Sequence, residues 1–429
     1  VAREEEEFSW IEDEPVGEAI QSEPGPEIDM GGLTPIRSWP PDSYPYFYRF
    51  KYAAVCHDIF NDVYGIAAVF QKKSGSTYWD NLYYLRIDGN STHPKYGQVL
   101  TNTFIATSTR IDNVDCTTST SGSTIFITYD MYNSDARWVR FVGSTMSEQY
   151  TIVGVDYCDE YEAYVTRKPR IAFSNTSYST IMIAFYAYDF SVDGSSCEIC
   201  THTYSAYTGE FIHEEMFWPD TSNQPVTWDV EWNGDSKFIL AYFNPPDYTA
   251  PYILRSARLT GNGYLDHVYE IENFMGPGDH PQWPSEMKLA YTNGNLNSTH
   301  RFILQTAEGA TWWLEQWGEE IDDTHSPRYY YGGKYGDHFA VCEYWGSTAN
   351  RIAHTFGYNF SMLPPVMNTR HMHWDQAYIE ASPHEVFSLN DGYYPAACSA
   401  GDTLTDTELM LVSSAAGGSK YVYWNMESQ

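Results

Sequence analysis

The residues of this 429-residue chain that could do chemistry are mainly grouped carboxylates. Asp156 and Asp159 stand with Glu160 and Glu162. Glu214 and Glu215 precede Trp218 and Asp220. Asp279 lies near Glu272, His280 and Trp283, and Asp391 follows Asn390. Two carboxyls about 5–9.5 Å apart across a sugar can hydrolyse a glycosidic bond. The same oxygens, with backbone carbonyls, can hold calcium. A solvated acidic rim is the simpler account of such groups. His371 and His373 form an HxH on an expected strand, where alternation puts both on one face. His354 lies in the preceding strand, so these three are candidate metal ligands, although a packed or surface histidine is the plainer reading.

There are seven cysteines. Cys56, Cys116, Cys342 and Cys398 fall at matching repeat positions and read as small buried apolar residues. Cys197 and Cys200 form a CxxC, and Cys158 lies just before the repeat that contains them and could pair with one of them. In a regular strand Cys197 and Cys200 point to opposite faces, so a bridge between them requires a bulge or turn. Cys158, Cys197 and Cys200 are the disulfide candidates. The sequence holds no phosphate-binding loop, nucleophile elbow or H-E-x-x-H. No cofactor is implied, and calcium is the ion the acidic groups could take.

These residues must be positioned by a repeat. Short segments with apolar residues on alternating positions end at residues 56, 116, 173, 230, 289, 342 and 398, a step of about 57. A more hydrophobic strand follows each one: Ile66 to Phe70, Ile125 to Tyr129, Ile181 to Phe185, Phe238 to Tyr242, Phe302 to Thr306, Ile352 to Phe356 and Leu409 to Ser413. A third strand follows, then a glycine turn in five repeats, at Gly89, Gly143, Gly209, Gly263 and Gly318. Asn262-Gly263 is a strong hairpin signal. Four antiparallel strands per repeat without a long helix resemble the blades of a β-propeller. The fold expected is all-β: a seven-bladed β-propeller of four-stranded antiparallel blades, with the ring closed by an N-terminal strand. The last repeat lacks a fourth strand, and Tyr44 to Phe50 is expected to supply it. The resemblance is to the architecture only. No sialidase Asp-box occurs, and the Trp-Asp pairs do not form a WD40 series.

Residues 1–34 are expected to be an acidic extension and 35–429 the propeller. Residues 1–30 carry eleven acids against one base, Arg3, a composition too polar to fold alone. Phe8, Trp10 and Ile11 are the residues by which this tail could dock on its own domain or a neighbouring subunit. The start at Val1 leads to the expectation of a processed form.

The formal net charge of −33 disfavours nucleic acid and anionic membranes, and no apolar run reaches the ~18 residues of a spanning helix. Cations, neutral glycans and basic proteins remain as partners. Aromatics make up 17%, which suits strand packing first and sugar stacking second. Sequons at Asn90, Asn175, Asn297 and Asn359 are glycosylation candidates, a number close to chance. Together these features favour a secreted or cell-surface setting. The reading favoured from sequence is a non-catalytic structural or adhesive subunit of an extracellular assembly, self-associating or binding another extracellular protein. The alternative is a carbohydrate-binding or carbohydrate-cleaving propeller with its site on the acidic loop face.

Overall fold

In the computed structural model, residues 37–41 and most of 47–272 are described, and beyond 272 chiefly the strands between 284 and 428. Side chains after residue 272 are described only at Leu289 and at 420–424. The extension at residues 1–34 lies outside the described residues, with Phe8, Trp10 and Ile11.

Among the described residues the regular secondary structure is strand alone. After β1 (Arg37–Trp39), the first sheet is formed by β2 (Phe47–Asp58), β3 (Val63–Ser74), β4 (Thr77–Asp88) and β5 (Val99–Ser108). The second contains β6 (Ile111–Thr118), β7 (Thr124–Met131), β8 (Ser134–Val142) and β9 (Thr145–Thr151). The third contains β10 (Tyr164–Phe173), β11 (Thr180–Asp189), β12 (Cys197–Ser205) and β13 (Phe211–Phe217). The fourth contains β14 (Thr227–Trp232), β15 (Lys237–Asn244), β16 (Ile253–Thr260) and β17 (Leu265–Glu272).

The fifth sheet contains β18 (Pro284–Thr292), β19 (Thr299–Thr306), β20 (Ala310–Trp317), β21 (Glu320–Asp322) and β22 (Arg328–Tyr331). Here the fourth strand is split: β21 and β22 pair with different parts of β20. The sixth contains β23 (Phe339–Trp345), β24 (Asn350–Asn359), β25 (Met367–Asp375) and β26 (His384–Asn390). The last contains β27 (Gly392–Ser399), β28 (Glu408–Ala415) and β29 (Val422–Ser428), with β1 as its fourth strand.

All pairings are antiparallel, and the four-stranded meanders fit a β-propeller. First strands of successive sheets lie against one another in the order β2, β6, β10, β14, β18, β23, β27, and β27 returns to β2. An N-terminal strand does pair with the C-terminal one, but it is not Tyr44 to Phe50. Arg37, Ser38 and Trp39 pair with Trp424, Tyr423 and Val422. Phe47 to Phe50 instead open β2, because Phe47 and Phe50 turn into the core of the first sheet.

The core is layered between sheets. Trp39, Val422 and Trp424 pack with Phe47, Phe70 and Tyr83 at the closing seam. Further layers join sheets one and two, two and three, and three and four. Much of the aromatic content is spent here. Phe126 stacks on Phe173 across a sheet junction with centroids 5.7 Å apart, and Trp138 on Tyr150 at 4.2 Å.

Three buried aspartates and the half-buried Asp115 fasten neighbouring sheets. β6 carries a bulge between Ile111 and Val114, and β10 one between Arg167 and Arg170. A bulge frees N–H groups from the ladder. Asp130 accepts from the N–H groups of Asp112 (3.0 Å), Asn113 (2.7 Å) and Lys168 (3.0 Å), so one carboxylate serves both bulges. Asp115 accepts from the Ile171 N–H at 2.9 Å, Asp229 from Leu289 at 2.8 Å and Asp80 from Ile111 at 2.9 Å. Each joins one sheet to the first strand of the next.

Candidate functional site

Of the carboxylates singled out from sequence, Glu214 and Glu215 lie among the described side chains. Asp156, Asp159, Asp279 and Asp391 lie outside them. Glu214 and Glu215 do not sit on an inter-sheet loop as expected; both are within β13, the outer strand of the third sheet. Adjacent strand residues point to opposite faces, and their contacts agree. Glu214 Oε1 faces the buried His202 Nε2 at 3.6 Å. Glu215 Oε2 accepts from the Leu265 N–H of the fourth sheet at 3.2 Å and lies 3.5 Å from His213 Nε2. Two carboxylates on opposite faces of one strand cannot flank one glycosidic bond.

Glu215 instead belongs to a platform at the junction of sheets three and four. The turn from β16 to β17 brings Tyr264 over His213, with ring centroids 3.9 Å apart and planes 28° from parallel. This turn is tightly held. Gly263 takes φ +92°, and a Cβ there would overlap the Thr203 hydroxyl. The Thr260 hydroxyl accepts from the Tyr264 N–H at 3.1 Å. Thr180 of the third sheet donates its hydroxyl proton to the Gly261 carbonyl at 2.6 Å. Tyr264 remains 54% exposed. One side of its ring is therefore backed by His213 while much of the ring meets solvent, and Glu215 lies beside it.

Such a flat apolar face next to a carboxylate can stack against the C–H face of a sugar and accept its hydroxyl protons. On the next position of β17, Arg258 donates to Asp266 at 2.6 Å and Lys237 lies 3.4 Å away. Desolvation acts to raise the Asp266 pKa, but these two cations outweigh it and hold the carboxyl below its ordinary range. Asp266 is thus held ionised beside the platform, with its charge balanced by Arg258 and Lys237.

The turn from β12 to β13 repeats the device one sheet earlier. Gly209 has φ +74° and lies under the Tyr150 ring of the second sheet. Tyr207 projects from this turn and Phe211 from the start of β13; both are exposed. Sequence reasoning missed Tyr264 and His213 as site residues. The signal for them was a Tyr directly after Asn262-Gly263, together with His213 and Glu215 two positions apart on one strand face.

The other candidates are placed as follows. β12 pairs with β11 without interruption from Cys197 to Ser205, so the bulge needed for a Cys197–Cys200 bridge is absent. Cys200 is buried, and Cys158 lies outside the described residues. His354 is in register with Met372, between His371 and His373. The side chains of these three histidines lie outside the described ones. Among the described residues no three of His, Cys, Asp and Glu gather as metal ligands. Asn90 lies in the loop after β4, and Asn359 ends β24 in register with Met367. Asn175 and Asn297 lie outside the described residues. Among the described residues no helix is long and apolar enough to cross a membrane.

No family model matches the chain. No curated protein matches it in sequence. Solved structures match it in fold. A lectin from Aleuria aurantia bound to a methyl fucoside is 11% identical, with 80% of this chain and 96% of that chain covered and a TM-score of 0.46. An alpha-L-arabinofuranosidase from Fusarium graminearum is 13% identical, with 74% and 93% covered and a TM-score of 0.47. The NanB sialidase from Streptococcus pneumoniae is 7% identical, with 86% and 88% covered and a TM-score of 0.49. These proteins are described as binding or cleaving carbohydrate, and the structural or adhesive reading is corrected accordingly. That reading rested on a tail outside the described residues and on the lack of a recognised constellation.

Proposed function

We propose that the chain is a seven-bladed β-propeller that binds carbohydrate. The observation carrying this reading is the Tyr264 ring, backed by His213 and flanked by Glu215 on a turn tied to the preceding sheet. A rigid ring costs little conformational entropy when it receives a ligand. Glu214 and Glu215 face opposite ways and do not form a cleaving pair with each other, so the role proposed for this platform is binding. The net charge of −33 points to neutral glycans, since sialylated or sulfated ones would be repelled. A secreted or surface location suits such a ligand.

The test is a glycan array probed with the full chain at physiological salt. Retention on neutral oligosaccharides, with little on anionic ones, is expected. Retention on no neutral glycan overturns the proposal.

A further inference from the structure

The loop between β4 and β5 carries Asn90-Ser91-Thr92. This is an N-x-[ST] acceptor triplet whose middle residue is not proline. The loop is ordered around the triplet rather than merely exposed. Its base is closed by Gly89 N–H to Asp62 O at 2.7 Å, Gly97 N–H to Asp88 O at 2.7 Å and Asp88 N–H to Gln98 O at 3.0 Å. Its far end is pinned to the closing sheet, where the Trp424 indole donates to the Gly97 carbonyl at 3.0 Å. Between these anchors Ser91 to Lys95 are all exposed.

Within the triplet the Thr92 hydroxyl donates to Asn90 Oδ1 at 2.6 Å, and the Thr92 N–H donates to the same oxygen at 3.0 Å. The Asn90 side chain is thus held by its carbonyl end beside the hydroxyl two residues on. That is the pair of groups a glycosylating enzyme reads. Asn359, by contrast, ends a strand and pairs with Met367.

We propose that Asn90 is an N-glycosylation site of this protein. The co-reactant is an oligosaccharide carried on a pyrophosphate lipid. Asn90 Nδ2 forms a bond to the anomeric carbon, and the anomeric C–O bond breaks. The lipid pyrophosphate leaves, and Nδ2 gives up one proton to a base of the transferase. The glycan would stand on the first sheet beside the closing seam. It is independent of the sugar platform between sheets three and four.

The full chain is secreted from a eukaryotic host together with a reporter glycoprotein, then digested with trypsin. Cleavage after Arg86 and Lys95 yields residues 87–95, which contain this sequon alone. The expected result is a glycan on that peptide, released by peptide-N-glycosidase in heavy-oxygen water with the isotope label left at position 90. Thr92→Ala should abolish the modification and Thr92→Ser should keep part of it. An unmodified peptide 87–95 beside an occupied reporter sequon overturns the proposal, as does undiminished modification in Thr92→Ala. Binding on the glycan array does not enter this readout.

Discussion

At Tyr129 the phenol is buried in the second sheet and bonded to Gln149 Oε1 at 2.9 Å. Burial pushes its pKa up to about 12, while the charge and hydrogen bond of Arg137 act in the other direction. Burial also pushes Tyr204 upward, and the Glu214 charge adds to it. A phenol in the unfolded chain ionises near ~10. Its stabilising contribution is therefore complete below about pH 10 and is lost as pH rises toward about 12. Urea midpoints measured between about pH 9 and 12 should fall for the native chain and fall less steeply for Tyr129→Phe. An unchanged slope would remove Tyr129 from the account. The residue scale was also where sequence was least informative about function. Glu215 could be picked out as an acid, but the ring that completes its platform comes from another sheet. Spacing along the chain does not report which side chains two sheets bring together.

At the scale of elements, the junctions rest on aspartates that the sequence offers no reason to separate from other acids. Asp115 sits in an alternating strand, and only the packing of β6 against β10 shows that it takes the Ile171 N–H. Asp115→Ala leaves that donor without its acceptor and should cost about 1–3 kcal/mol, read as a lower urea midpoint at constant slope. The turn at Gly263 makes a second case. Asn262-Gly263 was legible as a turn, and the glycine is needed twice over: for its positive φ and for the closeness of Thr203. Gly263→Ala should destabilise by about 1–2 kcal/mol and displace Tyr264 from His213. Loss of glycan binding greater than the loss of melting temperature explains would mark that displacement. The start of β13 at Phe211-Ile212 reads as a fourth strand from sequence, but its extent through Glu214 and Glu215 does not, because FIHEEMF has apolar residues in adjacent pairs rather than on alternate positions. Its bulge between Thr203 and Tyr204 of the partner strand absorbs the irregularity.

For the whole molecule, the repeat was the strongest signal in the sequence. The seven segment ends at 56, 116, 173, 230, 289, 342 and 398 all fall within first strands. The closing strand was harder to find, since a three-residue strand has no period to detect and Tyr44 to Phe50 is far richer in aromatics. Trp39 is fully buried at the seam, among Phe47, Phe70, Tyr83 and Trp424. Trp39→Ala should therefore cost about 3–5 kcal/mol. Removing β29 by truncation at Ser419 should lower the stability of the ring as one unit, with tryptophan fluorescence and circular dichroism losing signal together. Separate transitions would show that the sheets do not depend on closure.

The central claim is that the platform at Tyr264 receives a neutral glycan. It is tested most directly by titration calorimetry of an array-selected neutral oligosaccharide against the native chain and Tyr264→Ala. Tyr264 is exposed, so its loss should leave the melting temperature nearly unchanged. An affinity lower by about tenfold, equivalent to about 1.4 kcal/mol, is the result predicted. Equal affinity in the two proteins would contradict the account and place the sugar elsewhere on the ring.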